Sequence, residues 1–201
     1  WNVALVEKER FPRFRIGESL LPYSMAILRK TGFFKVLDSG KYIRKYGAQF
    51  IDYRYHRETY FRFDGDLATA PEPFAFEVPR EDFDADLLDY AKTQGVTVFQ
   101  PEEVIDVKFH GDRVEVQTDL QTISAPYVAD ASGRMSFLGN RLKLRHTNPD
   151  LNNIAVFAHF DGVKRKTGSE EGDIIIGILP DQSWSWTIPF KGDRTSVGIV
   201  T

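Results

Sequence analysis

The 201-residue chain contains no cysteine, which excludes disulfides, thiolate nucleophiles, thiolate metal ligands and any dithiol relay. That absence leaves the compartment open, because a cytosolic protein can simply lack the residue. Histidine is scarce too. His56, His110, His146 and His159 are scattered, no two of them stand at zinc-ligand spacing, and all four are expected to be structural or solvated, with no metal. The longest apolar runs, around residues 154–158 and 174–179, are strand-sized and fall far short of the about 20 residues a membrane-spanning helix needs. The basic-then-apolar layout of a secretory signal is missing from the N-terminus, so a cytoplasmic location is expected. Net charge is −3, and no basic field points to nucleic acid or an anionic membrane as a partner. No two of the 15 glycines are separated by a single residue, so the glycine-rich turn of a dinucleotide-binding unit is absent. Glycine-flanked serine elbows are absent as well: Gly17-Glu18-Ser19-Leu20-Leu21 and Ala131-Ser132-Gly133 both fail that pattern.

What remains is an ordinary globular composition, 42% hydrophobic and 27% charged, enough for one large domain or two intimate ones. Val3-Ala4-Leu5-Val6 reads as a short strand closed by Glu7. A helix is expected to start at Pro22, which is tolerated in a first turn. Met25 and Leu28 share one of its faces, Arg29-Lys30 suit its C-terminal dipole, and Gly32 caps it. Residues 47–78 read as strand-rich, with alternation in Tyr60-Phe61-Arg62-Phe63 and Phe74-Ala75-Phe76. A second helix follows, with Phe83, Leu87, Leu88 and Ala91 on one face, four acids in its first turns and Gly95 at its close. Next come a strand over 96–99 and a meander: 104–109, a His110-Gly111-Asp112 turn, 114–118, and a strand reaching Tyr127-Val128-Ala129. Long strands separated by polar turns return from 153 onward. This order implies two domains woven together, the chain crossing between them more than once.

Several residues carry chemical meaning. Glu7 closes a strand, as does the acid that hydrogen-bonds ribose hydroxyls in nucleotide-binding units, although an exposed acid at a strand end is the plainer reading. Ser19 would ordinarily be a helix-capping residue. Lys45 sits in the basic run Ile43-Arg44-Lys45-Tyr46-Gly47-Ala48, where a solvated surface charge is the default. Arg80 follows Val78-Pro79 and has acids around it to pair with, and Val104 reads as core. On a strand, Trp184, Trp186 and Ile188 project from one face about 6–7 Å apart, and most such aromatic alternations are core.

Two stretches in this order, Phe14-Arg15-Ile16-Gly17-Glu18-Ser19-Leu20-Leu21-Pro22 and Trp184-Ser185-Trp186-Thr187-Ile188-Pro189, resemble the flavin-dependent halogenases, within the larger class of FAD oxidoreductases and monooxygenases. The wording Ser19-Leu20 is that of the carrier-protein and phenolic types. The resemblance implies a mixed α/β fold: a Rossmann-like FAD-binding domain (1–40 and 80–140) interleaved with a sheet-rich substrate domain (41–79 and 141–201). It implies flavin-side roles for Glu18 and Ser19, and an Arg80 reaching toward the flavin. It makes Glu7 a ribose partner, gives Val104 a backbone that faces adenine, and makes Asp130-Ala131-Ser132-Gly133-Arg134 the turn that returns the chain to the dinucleotide. Lys45 inherits the catalytic role, meeting hypohalous acid, and Trp184, Trp186 and Pro189 wall the space between flavin and substrate. The implied reaction is FADH2-dependent halogenation of an electron-rich aromatic, free or carrier-tethered, through a flavin hydroperoxide formed with O2 and then hypohalous acid formed from halide, with a flavin reductase as partner. A flavin monooxygenase, a geranylgeranyl-reductase-like enzyme, or a non-catalytic binding remnant are the alternatives. The chain is expected to be a piece of a longer protein whose glycine-rich turn lies upstream of Trp1, and by itself to bind FAD weakly or not at all.

Overall fold

The computed structural model describes residues 1–65, 72–146, 148 and 152–201. Residues 66–71 of the expected strand-rich stretch therefore lie outside the described residues. Along the chain run β1 (Ala4–Val6), α1 (Pro22–Lys30), α2 (Phe34–Leu37), β2 (Ile43–Lys45), β3 (Gly47–Asp52), β4 (Arg57–Arg62) and β5 (Ala75–Glu77). Then come α3 (Arg80–Thr93), β6 (Thr97–Phe99), β7 (Val104–Phe109), β8 (Val114–Thr118), β9 (Thr122–Ala125) and α4 (Phe137–Arg141). Four long strands close the order: β10 (Ala155–Phe160), β11 (Ile174–Ile178), β12 (Trp184–Pro189) and β13 (Thr195–Val200). The fold is mixed α/β and sheet-rich. It divides into two compact units, each built from two separate chain segments: 1–11 with 91–152, and 12–90 with 153–201.

In the first unit β1 pairs in parallel with β6, Leu5 opposite Val98, and β7, β8 and β9 form the expected antiparallel meander. The last of these strands ends earlier than its sequence indicates. β9 stops at Ala125, and Tyr127 lies beyond it, 78% exposed. Beyond Ala125 no partner remains, because Val114, opposite it, is where β8 begins.

The second unit contains a six-stranded sheet in the order β10-β13-β12-β11-β3-β4, in which only β11 and β3 run parallel. Strand alternation places Ala48, Ile174, Trp186 and Ile188 in one buried cluster with Phe190, and Phe50, Phe157 and Ile176 pack against it. A second cluster joins Met25, Phe34, Leu37 and Phe83 from the helices to Phe33, Tyr42, Phe63, Phe74 and Phe76. Pro22 is the first residue of α1, and Gly32 beyond its end takes the left-handed φ of +83° that favours glycine. On α3 the inward residues are Phe83, Asp84 and Leu88, whereas Leu87 is exposed. Its place on the buried side is taken by Asp84, a carboxylate held by Arg13 at 2.7 Å and by Arg80 at 2.8 and 3.0 Å.

Candidate functional site

The period of two along β2 decides the environment of Lys45. Arg44 turns to solvent and Asp38, whereas Lys45 turns inward and is 1% exposed. Its register partner on β5 is Ala75, and Ile43 pairs with Glu77. Ala75 carries almost no side chain, which leaves the lysine room to lie diagonally toward Glu77, two residues further along the same face. On the other edge of β5 the segment 18–20 adds a third strand-like partner. Ser19 bridges Glu77, Leu20 N–H donates to Phe76 C=O at 3.0 Å, and Val78 N–H donates to Glu18 C=O at 2.7 Å. The side chains then meet in line: Lys45 Nζ donates to Ser19 Oγ, and Ser19 Oγ donates to Glu77 Oε1 at 3.1 Å. Lys45 Nζ is 3.4 Å from the same carboxylate oxygen and 5.7 Å from the Phe63 ring centre.

Glu77 is fully buried, and burial outweighs the attraction of Lys45 and the Ser19 hydrogen bond, pushing its carboxyl up to about 8. Its second oxygen, Oε2, has no hydrogen-bond partner among the described residues. Asp173, also buried, accepts the N–H groups of Tyr46 at 2.7 Å and Gly47 at 2.9 Å together with the Tyr60 hydroxyl. It thereby fixes the bend between β2 and β3, just past Lys45. Burial and the Asp173 charge hold the Tyr60 phenol well above its usual range. Gly47 is required at that bend, since a Cβ there would stand 2.6 Å from both the Phe61 carbonyl oxygen and the Tyr60 hydroxyl. Beyond it, buried Gln49 lines a cavity of about 280 Å³ with Glu58, Thr59, Tyr60, Lys166 and Glu170.

Glu18, 1% exposed, lies 2.8 Å from His159 Nε2. That imidazole begins an aromatic series along the sheet. Its ring centre is 5.2 Å from Phe14, Phe14 stacks on Phe157 at 5.4 Å, and Phe157 lies 6.1 Å from Trp186. Trp184 is 5.7 Å beyond Trp186 and partly exposed. The indole N–H of Trp186 donates to Ser196 Oγ at 3.0 Å. Pro189, an odd position on β12, projects from the opposite face to the two tryptophans.

Within this unit, then, Glu18, Ser19 and Lys45 gather around β5, and Trp184 and Trp186 lead to Glu18 through three rings. Arg80 is engaged locally, its Nη1 donating to Ile16 C=O at 2.9 Å and its other donors holding Asp84. In the first unit Glu7 sits at the carboxyl end of a parallel strand, where open α/β sheets bind their ligands, and its Oε1 accepts the Glu9 N–H at 2.8 Å. Val104 is half-buried and opens β7 opposite Thr118, just before a register shift. Asp130 accepts the N–H groups of Ser132 and Leu138, each at 2.9 Å, and hydrogen bonding from the Ser132 side chain first, then from these backbone groups, holds its carboxyl below the usual range.

Glu77, Asp173 and His159 escaped sequence reasoning. Glu77 alone carried a signal: it continues the alternation Phe74-Ala75-Phe76 on the Ala75 face, as a charged residue where a buried strand should hold an apolar one.

No protein-family model matches the chain. It is 34% identical, over 98% of its length and 50% of the relative's, to the 1H-pyrrole-2-carbonyl-[peptidyl-carrier protein] chlorinase of Pseudomonas fluorescens. Its relatives are flavin-dependent halogenases. Among solved structures, the flavin-dependent halogenase CmlS superposes with a TM-score of 0.89 at 32% identity, covering 100% of this chain and 37% of the halogenase. A flavoprotein/dehydrogenase from Cytophaga hutchinsonii superposes with a TM-score of 0.90 at 33% identity, covering 100% of this chain and 50% of that one. The chain thus spans about half the length of the halogenase relatives, and the likeness embraces both compact units. Among the described residues no group of acids and histidines has the geometry of a metal site, and no helix is long and apolar enough to cross a membrane.

Proposed function

We propose that this chain is the part of a flavin-dependent halogenase that holds its reactive lysine, with an electron-rich aromatic compound as substrate. The observation that carries this reading is the burial of Lys45 against Ser19. A basic residue in a polar run is withdrawn from water and bonded to a residue of the Gly17-Glu18-Ser19 segment. A lysine at 1% exposure is inaccessible to a bulky ring but suits a small electrophile such as hypohalous acid.

The residues fit FAD. Glu7 at the carboxyl end of β1 suits a ribose hydroxyl. Gly17, at φ +98°, makes a turn that favours glycine, and a Cβ there would press to 3.0 Å on Arg80 Nη1. In the first unit Glu7 and Val104 would serve the dinucleotide; in the second, Glu18, Ser19 and Arg80 would have the flavin-side roles that the resemblance implies. Reduced flavin, when bound, supplies hypohalous acid from oxygen and halide. Lys45 would receive that acid in a site from which water is excluded, and Trp184 and Trp186 would wall the space between flavin and substrate. The carrier-protein substrate of the pyrrole chlorinase supports a tethered aromatic as one form of substrate, and a separate flavin reductase would supply the reduced cofactor. A second reading, a flavin oxidoreductase without halogenation, is favoured by the similarity to the flavoprotein/dehydrogenase.

The test is incubation of the full-length protein with FAD, a flavin reductase, oxygen, bromide and a phenolic trap, comparing wild type with Lys45→Met. Brominated trap that disappears in the variant while flavin oxidation continues supports the halogenase. Hydroxylated or reduced product insensitive to the substitution moves the chain to the second reading.

A further inference from the structure

A protonated amine has no lone pair to offer a halogen, and Lys45 donates to a serine that itself donates to an acid. We propose that Glu77, acting through the Ser19 hydroxyl, takes the proton of Lys45 and so keeps that amine nucleophilic; the assignment rests on the halogenase reading. The three groups are collected by β2, β5 and the segment 18–20, with Ser19 Oγ 3.1 Å from Glu77 Oε1 on one side and bonded to Lys45 Nζ on the other. Glu77 and Lys45 are 0% and 1% exposed, so the proton cannot be left with water.

The surroundings of Glu77 favour its neutral form. A carboxylate wholly out of water, with Oε2 unbonded among the described residues, is costly to keep charged, whereas a carboxylic acid is not. Lys45 is the cation paired with it. Asp173, past the end of β2, adds negative charge that further favours the neutral acid. The remaining nearby acid, Glu18, is paired with His159. The upward displacement of the Glu77 carboxyl agrees with this arrangement.

The transfer balances without an outside reagent. An N–H bond of the Lys45 ammonium breaks as the Ser19 oxygen gains that hydrogen, and the Ser19 O–H breaks as Glu77 gains its own. One proton has moved, and an ion pair has become a neutral pair. The amine then attacks the halogen of hypohalous acid. An N–halogen bond forms, the O–halogen bond breaks, and the departing hydroxide takes a proton from the nitrogen as water.

Infrared difference spectra of the full-length protein at pH 7, without flavin, test where the proton sits. A carboxylic-acid C=O band that is lost in Glu77→Gln, and moved by Ser19→Ala through the lost hydrogen bond, is expected; no such band in the wild type overturns the proposal. The second measurement is the bromination rate against pH. Ser19→Ala should lose about a hundredfold at neutral pH and recover as pH rises, whereas Ser19→Thr, which keeps the hydroxyl, should retain the wild-type profile. Unchanged profiles in both Ser19→Ala and Glu77→Gln make Glu77 a structural counter-ion and also overturn it. If the wild type brominates nothing, the halogenase reading fails while the infrared result still locates the proton.

Discussion

Gly198 and Trp186 lie opposite each other on β13 and β12, and the indole fills the volume that a side chain at 198 would occupy. Gly198 also pairs with Phe157 on its other side, so the bare backbone is what lets the Trp186 ring reach across to the Phe157 ring.

Gly198→Ala should therefore displace the Trp186 indole rather than merely crowd it. Overpacking of a filled core costs about 1–3 kcal/mol, and the loss should appear in urea unfolding. Tryptophan emission should shift to the red at the same time, because a ring now 6% exposed would be driven toward water. Unchanged emission would mean that β13 yields instead of the ring.

Glu77 should impose a pH dependence on stability, with a definite sign, once Lys45 no longer supplies its proton. The unfolded carboxyl releases its proton near 4.5 and the folded one near 8. Between those values a carboxyl that draws its proton from solvent makes the folded chain bind more protons than the unfolded one, so stability falls as pH rises through the window, fully present below about 4.5 and gone above about 8. In the wild type the proton comes from Lys45, the pair binds the same number in both states, and denaturation across pH 4–9 should be level there. Lys45→Met, whose Glu77 must take its proton from solvent, should show the decline.

Asp173 satisfies two backbone N–H groups that no strand ladder serves, those of Tyr46 and Gly47. Asp173→Ala leaves both unpaired, a loss of about 2–6 kcal/mol at about 1–3 kcal/mol for each group. Thermal unfolding should report it. Asp173→Asn, which keeps one acceptor oxygen, should recover part of the difference.

The Glu18–His159 pair should be asymmetric. His159→Ala removes the hydrogen-bond partner of Glu18 Oε1 at 1% exposure, and leaving a buried polar group unpaired costs about 1–3 kcal/mol. Glu18→Gln retains an oxygen near the imidazole and should be far milder. Equal losses from the two substitutions, measured by chemical denaturation, would contradict this account.

Much of the fold was legible because it follows from local chemistry. Pro22 and Gly32 delimit α1, the alternation in 104–118 gives the meander, apolar runs give β10 and β11, and the Trp184-Trp186-Ile188 alternation gives β12. What escaped depends on partners distant in sequence. Arg44-Lys45 reads as a solvated basic pair until β5 lies beside it and turns one residue out and the other in. Leu87 reads as core until Asp84 takes the buried side of α3 to meet Arg13 and Arg80. Motif wording marked Glu18, Ser19 and Lys45 singly, but not that a buried Glu77 would lie against two of them, since only register brings Ile43 opposite Glu77 and leaves Ala75 small beneath the lysine. Pro189 shares a motif with the tryptophans, yet strand parity sends it to the other side of the sheet.

The parallel pairing of β3 with β11 has a consequence for synthesis. When the β3–β4 hairpin has left the ribosome, the strand that must cover its free edge is still about 110 residues from being made. At about 5–20 residues per second that edge waits on the order of ten seconds, and the entire 91–152 segment emerges in the interval. Contacts this distant also slow folding itself. The nascent chain therefore passes through a stage in which an unpaired strand edge is open, the kind of surface that chaperones shield.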